Sequence, residues 1–89
     1  MYQIRYRRYR KERAIQVAHT ISRNIKLALL ADGKSQKALA DALAPYTSRT
    51  RVSNIATGKK VADAIELYVI AEFFRRPVTW FYEDHLDFI

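Results

Sequence analysis

Residues 35–60 read SQKALADALAPYTSRTRVSNIATGKK, and the fold turns on how this stretch is read. Behind Ser35, the apolar residues Leu39, Ala40 and Leu43 share one side of a 3.6-residue period, which predicts a short helix over 36–43 with Ser35 as its N-cap. Pro45 disfavours helical geometry at Ala44, so Ala44-Pro45-Tyr46-Thr47 is expected to break the pattern. Ser48 then caps a second helix over 49–56 with Val52, Ile55 and Ala56 turned inward, and Thr57-Gly58 stops it. The outer side of that helix carries Arg49, Thr50, Ser53 and Asn54, a connected polar face without an acid.

Upstream, Ile15, Ala18, Ile21, Ile25, Ala28 and Leu29 recur at helical spacing, which predicts an amphipathic helix from Lys11 or Ala14 to Ala31, ended by Asp32-Gly33. Downstream, Asp63 and Glu66 make an acidic capping box ahead of a fourth helix with a broad apolar surface of Ile65, Leu67, Tyr68, Ile70, Ala71, Phe73 and Phe74. Arg75-Arg76-Pro77 ends it. Pro77 also suits the start of a short fifth helix, 78–82, bearing Val78, Trp80 and Phe81. Residues 1–10, MYQIRYRRYR, alternate Tyr2, Ile4 and Tyr6 with Gln3, Arg5 and Arg7. That period of two fits an extended arm, while the absence of a breaker before Ala14 equally fits the start of the first helix. The division is therefore a basic arm or start of helix 1 at 1–13, a domain at 14–82 and a short acidic tail at 83–89, which can pair as a strand with the arm.

At 89 residues the chain holds one small core, and its two glycines and two prolines favour an all-α fold over a turn-dense β fold. Without cysteine there is no disulfide framework or thiolate metal site, and two histidines do not make a histidine-rich cluster. No cofactor is expected. No stretch has the roughly 18 consecutive apolar residues of a membrane span, and no signal-peptide core follows the basic start, so the expected location is the cytoplasm.

The net charge of +7 is unevenly placed. Six bases against Glu12 give residues 1–13 a net +5; eight bases and two acids give residues 14–60 a net +6; two bases and six acids give residues 61–89 a net −4. A polarised molecule of this kind presents one end to a polyanion. Arginines interleaved with Tyr2, Tyr6 and Tyr9 suit phosphate and groove contacts.

The order Ser35-Gln36-Lys37-Ala38-Leu39-Ala40, a turn, Ser48-Arg49-Thr50-Arg51-Val52-Ser53-Asn54-Ile55, Gly58-Lys59, then Ile70-Ala71-x-x-Phe74 and Val78-x-x-Phe81 resembles the lambda-repressor-like helix-turn-helix family of Cro and repressor type, often called XRE. The resemblance covers about 60 of the 89 residues. It implies a five-helix DNA-binding domain, here with a basic N-terminal arm and a short acidic C-terminal tail, whose helix 49–56 enters the major groove. Arg49, Thr50, Ser53 and Asn54 stand at the family's base-contacting positions. Ser35, Gln36 and Lys37, at a helix start with free N–H groups, match one phosphate grip, and Lys59 and Lys60 match another. Arg51, toward the side of the helix, is expected on a phosphate. Arg5, Arg7, Arg8 and Arg10 would form a DNA arm, or else pack on a dimer. The sequence departs from the family in a turn over 44–48 that is two residues longer and lacks glycine, and in Arg75 where a glycine is common.

The function expected from this resemblance is a sequence-specific regulator of transcription, a repressor, that binds a double-stranded DNA operator as a homodimer. The competing expectation is a protein-interaction module on the same fold, such as an antirepressor or antitoxin with a protein partner. An enzyme is not expected, because no nucleophile sits in a base-bearing motif or beside a glycine-rich phosphate loop.

Overall fold

The computed structural model describes the backbone of residues 2–85 and the side chains of residues 11–85. Its order is α1 Tyr2–Asp32, α2 Gln36–Leu43, α3 Arg49–Ala56, α4 Ala64–Phe74 and a 3-10 helix, Val78–Tyr82. Among the described residues there is no strand. The core gathers Ile21, Ile25 and Ala28 of α1, Leu39 and Leu43 of α2, Val52 and Ile55 of α3, Leu67, Ile70 and Phe74 of α4, and Phe81, all nearly or wholly buried. Burying each of the large aliphatic residues contributes about 1.5–3 kcal/mol.

Helices α2 and α3 have the bounds expected from their caps. Ser35 Oγ accepts the Ala38 N–H at 3.1 Å and Ser48 Oγ accepts the Arg51 N–H at 3.1 Å. The capping box at the start of α4 is complete. Asp63 accepts the Glu66 N–H at 2.8 Å, and Glu66 accepts the Asp63 N–H at 2.9 Å.

Several expectations need correction. Of the two readings of residues 1–10, the extended arm falls and the start of helix 1 holds, since α1 begins at Tyr2; Arg and Lys are good helix formers and no Gly or Pro interrupts them. The strand pairing expected of the acidic tail falls on residues 86–89, outside the described residues. The short fifth helix expected over 78–82 has those bounds but is a 3-10 helix, so the α-helices number four among the described residues. Only five residues long, it gives up its Trp80 and Phe81 carbonyls to the buried Asn24 amide, at 3.3 and 2.9 Å, instead of continuing an α ladder. Ala44 keeps right-handed helical geometry (φ −51°, ψ −39°) despite Pro45. The chain turns one step later, where the Leu43 carbonyl accepts N–H groups from Tyr46 at 2.9 Å and Thr47 at 3.0 Å. Ile15, Ile65 and Tyr68, expected on apolar stripes, are exposed, because the core covers α1 only from about Ala18 and leaves one side of α4 open.

Long-range polar ties fix the angles between helices. Ser22 Oγ donates to the Ala56 carbonyl at 2.6 Å, closing the end of α3 onto α1. Gly58, at φ +82°, lies so near α1 that a Cβ there would come within 3.1 Å of the His19 ring. Lys34 Nζ donates to the Phe73 carbonyl at 2.8 Å, while Asp32 and Arg76 form a two-pronged ion pair at 2.7 and 3.0 Å. Together these ties lock the α1–α2 corner to the end of α4.

Candidate nucleic-acid interface

Helix α3 is held by an ion pair that its own sequence does not announce. Arg51 donates from Nε to Glu66 Oε2 at 2.6 Å, and from Nη2 to Glu66 Oε1 at 2.8 Å and to the Val61 carbonyl at 3.2 Å. Glu66 is 2% exposed and also receives the Asp63 N–H and the Thr47 hydroxyl. Burial alone would raise its carboxyl; the hydrogen bonds from Arg51, the Asp63 backbone and Thr47 outweigh that and lower it to about 2. One carboxylate thus joins the turn, α3 and the start of α4. Arg51, expected to meet a phosphate, has its Nε and Nη2 committed inside the protein, while no hydrogen bond within the described residues occupies its Nη1.

With Val52, Ile55 and Ala56 buried, the outer side of α3 carries the residues expected there. Arg49 and Thr50 are exposed, and Ser53 and Asn54 are half-buried. Their environments differ. No hydrogen bond within the described residues occupies the side chains of Thr50, Ser53 or Asn54, which leaves a hydroxyl pair and an amide for an outside partner. Arg49 is not alone: its Nη2 lies 3.0 Å from Asp41 Oδ1 on α2. The expectation of an acid-free face is therefore corrected. Asp41 comes from the neighbouring helix, which the local pattern of 49–56 does not register.

The flanking groups expected on phosphates lie at the start of α2 and just beyond α3. Gln36 and Lys37 are exposed in the first turn of α2, and the capping Ser35 still has its hydroxyl proton to give. Beyond α3, the Asn54 carbonyl accepts N–H groups from Lys59 at 2.8 Å and Lys60 at 3.2 Å, so the backbone of the exposed lysine pair is pinned to the end of the helix. The side chains of Arg5, Arg7, Arg8 and Arg10 lie outside the described residues.

Sequence reasoning missed three residues that shape this region: Glu66 as a hub, Asp41 beside Arg49, and Asn24. The Asn24 amide also donates to the Glu83 carbonyl at 2.8 Å and so clasps the C-terminal segment. Glu66 and Asn24 act across 15 and 57 positions of chain, beyond any local pattern. Asp41 carried one signal: an acid in the last turn of a helix opposes the helix dipole and calls for a cation.

Among the described residues no group of His, Cys, Asp or Glu is arranged to hold a metal ion, and no helix is long and apolar enough to cross a membrane. A family model described as helix-turn-helix matches residues 25–81, more than half of the chain. No curated protein and no solved structure matches the chain.

Proposed function

We propose that this chain, which belongs to the helix-turn-helix family of Cro and repressor type and is a DNA-binding regulator of the XRE kind, recognises a specific double-stranded operator as a repressor. The major groove admits one α-helix and displays a different donor and acceptor pattern for each base pair. Arg49 is suited to guanine O6 and N7, Asn54 to adenine N6 and N7, and Thr50 and Ser53 to several base edges or a thymine methyl group. Ser35, Gln36, Lys37, Lys59 and Lys60 contact phosphates on either side and set the register. Arg5, Arg7, Arg8 and Arg10 extend the cationic surface along the duplex. Arg51 holds α3 in place through Glu66 and offers its remaining Nη1 to a phosphate. The observation that carries this reading is the set of uncommitted hydrogen-bonding side chains on α3, flanked by exposed lysines.

The regulator acts in the cytoplasm as a homodimer. One module spans only about half a turn of groove, and two-fold pairing matches half-sites near 34 Å apart. Exposed Tyr82 and half-buried Trp80 and Phe73 supply apolar surface at the C-terminal end for that pairing. Light scattering that finds a strict monomer at high protein concentration removes this part.

The functional test is binding to a selected duplex at several salt concentrations. Specific binding that weakens steeply with salt, and in which Arg49→Ala and Asn54→Ala each lower affinity and remove the preference at one base pair, is the expected result. Indifference to both substitutions overturns it. Ile65 and Tyr68, one turn apart and both more than half exposed on α4, favour a second reading, a protein-interaction module such as an antitoxin or antirepressor. Its expected signature is stoichiometric copurification with a protein partner, abolished by Ile65→Asp.

A further inference from the structure

We infer that Asp41 is a positioning residue that sets the base preference of the recognition helix by holding the Arg49 guanidinium in one orientation. The inference rests on the reading of α3 as the helix that meets base edges. It starts from the Arg49–Asp41 contact: Nη2 to Oδ1 at 3.0 Å, between two side chains that are 69% and 55% exposed.

Two considerations give that contact meaning. First, Asp41 is badly placed for every other purpose. It sits in the last turn of α2, where a negative charge opposes the helix dipole. An exposed ion pair adds little to stability, so folding alone does not account for a carboxylate there. Second, the geometry leaves Arg49 able to act. Only Nη2 is engaged, so the other donors of the planar fork remain for guanine, which needs two of them on its O6 and N7. A free arginine on a helix surface samples many rotamers; one tethered through Nη2 presents a defined edge at lower entropic cost. Asp41 also penalises alternatives, since its carboxylate repels phosphate and base acceptors whenever Arg49 is not interposed.

The consequence is a split between discrimination and affinity. Asp41→Asn removes a negative charge from the DNA-facing surface, so binding to unrelated duplexes holds or strengthens. Releasing the tether lowers discrimination for guanine at the position that Arg49 reads, by about fivefold or more, as expected when a bidentate base contact is loosened.

The experiment is selection from a random duplex library, followed by titration of single-base variants, with wild type, Asp41→Asn, Arg49→Ala and the double variant. Expected are one guanine preference lost in Arg49→Ala, weakened in Asp41→Asn, and no further change in preference on adding Asp41→Asn to Arg49→Ala. A cooperative circular dichroism melt close to that of wild type shows that Asp41→Asn is folded. If Asp41→Asn keeps the full guanine preference, the inference is wrong while the DNA-binding reading stands; tighter binding with discrimination intact makes Asp41 a simple repulsive charge and overturns the inference equally. If wild type selects no consensus, or Arg49→Ala alters no base preference, the reading of α3 falls and this inference with it.

Discussion

The Glu66 carboxylate ties together more of the fold than any other single side chain described, because three otherwise separate segments meet at it: the turn through Thr47, α3 through Arg51, and the entry to α4 through the Asp63 N–H. Its charge is favoured in the folded state. Since its carboxyl is lowered from 4.5 to about 2, it contributes its full stabilisation above about pH 5 and loses it as the pH falls from there toward 2. That stabilisation is on the order of 3 kcal/mol. Glu66→Gln keeps the shape and some of the hydrogen bonds, so we expect it to cost about 2 kcal/mol at pH 7 and to lower the melting temperature by roughly 10 °C. Between pH 5 and 3 its stability curve should be flatter than that of wild type, as read by circular dichroism melts; parallel curves would deny Glu66 its role. Asn24 has a comparable place at the other end of the core. Asn24→Ala strands the carbonyls of Phe81 and Glu83, while that of Trp80 keeps the Glu83 N–H at 3.3 Å and His85 Nε2 at 2.7 Å, at an expected cost of about 2 kcal/mol. The chain has one tryptophan, so the fluorescence of Trp80 reports the loosening directly.

Among the elements, the caps were legible and the ties between helices were not. Ser35, Ser48 and the Asp63–Glu66 box act within three residues of themselves, so α2, α3 and the start of α4 could be read from local chemistry. The outer face of α3 followed from its buried Val52, Ile55 and Ala56 by period alone. The ion pairs Arg51–Glu66, Asp32–Arg76 and Arg49–Asp41 depend on how helices pack against one another, which no spacing within one element encodes. The full length of α1 is hidden because alternation in residues 1–10 imitates a strand, although nothing there breaks a helix. Backbone geometry at two element ends yields opposite predictions. Arg75 closes α4 at φ 54°, a left-handed position that favours glycine, and its side chain is exposed. Arg75→Gly should stabilise the domain by about 0.5–1 kcal/mol in thermal denaturation. Gly58→Ala should destabilise it by more than about 1 kcal/mol, because its left-handed φ is compounded by the His19 ring 3.1 Å from the new Cβ. A neutral Gly58→Ala would mean that α1 does not press on the loop after α3.

At the scale of the whole molecule, charge is arranged in the same sense as structure. The bases lie mostly in residues 1–60, which include α2, α3 and the Lys59–Lys60 loop, and the acids gather in residues 61–89. If Lys37, Lys59 and Lys60 each neutralise one phosphate, they contribute about −3 per protomer to the slope of log K against log salt, and replacing any one with alanine should reduce the slope by about 1 without changing base preference. Deletion of residues 1–10 should reduce affinity and slope further; an unchanged slope would remove Arg5, Arg7, Arg8 and Arg10 from the interface. The most direct test of α3 as the reading element is a titration of isotope-labelled protein with a selected duplex, followed by backbone and side-chain NMR. The account predicts that the largest shifts fall on Arg49, Thr50, Ser53 and Asn54, with smaller ones at Gln36, Lys37, Lys59 and Lys60. Shifts confined to Ile65, Tyr68 and the rest of the exposed side of α4, with α3 silent, would contradict it.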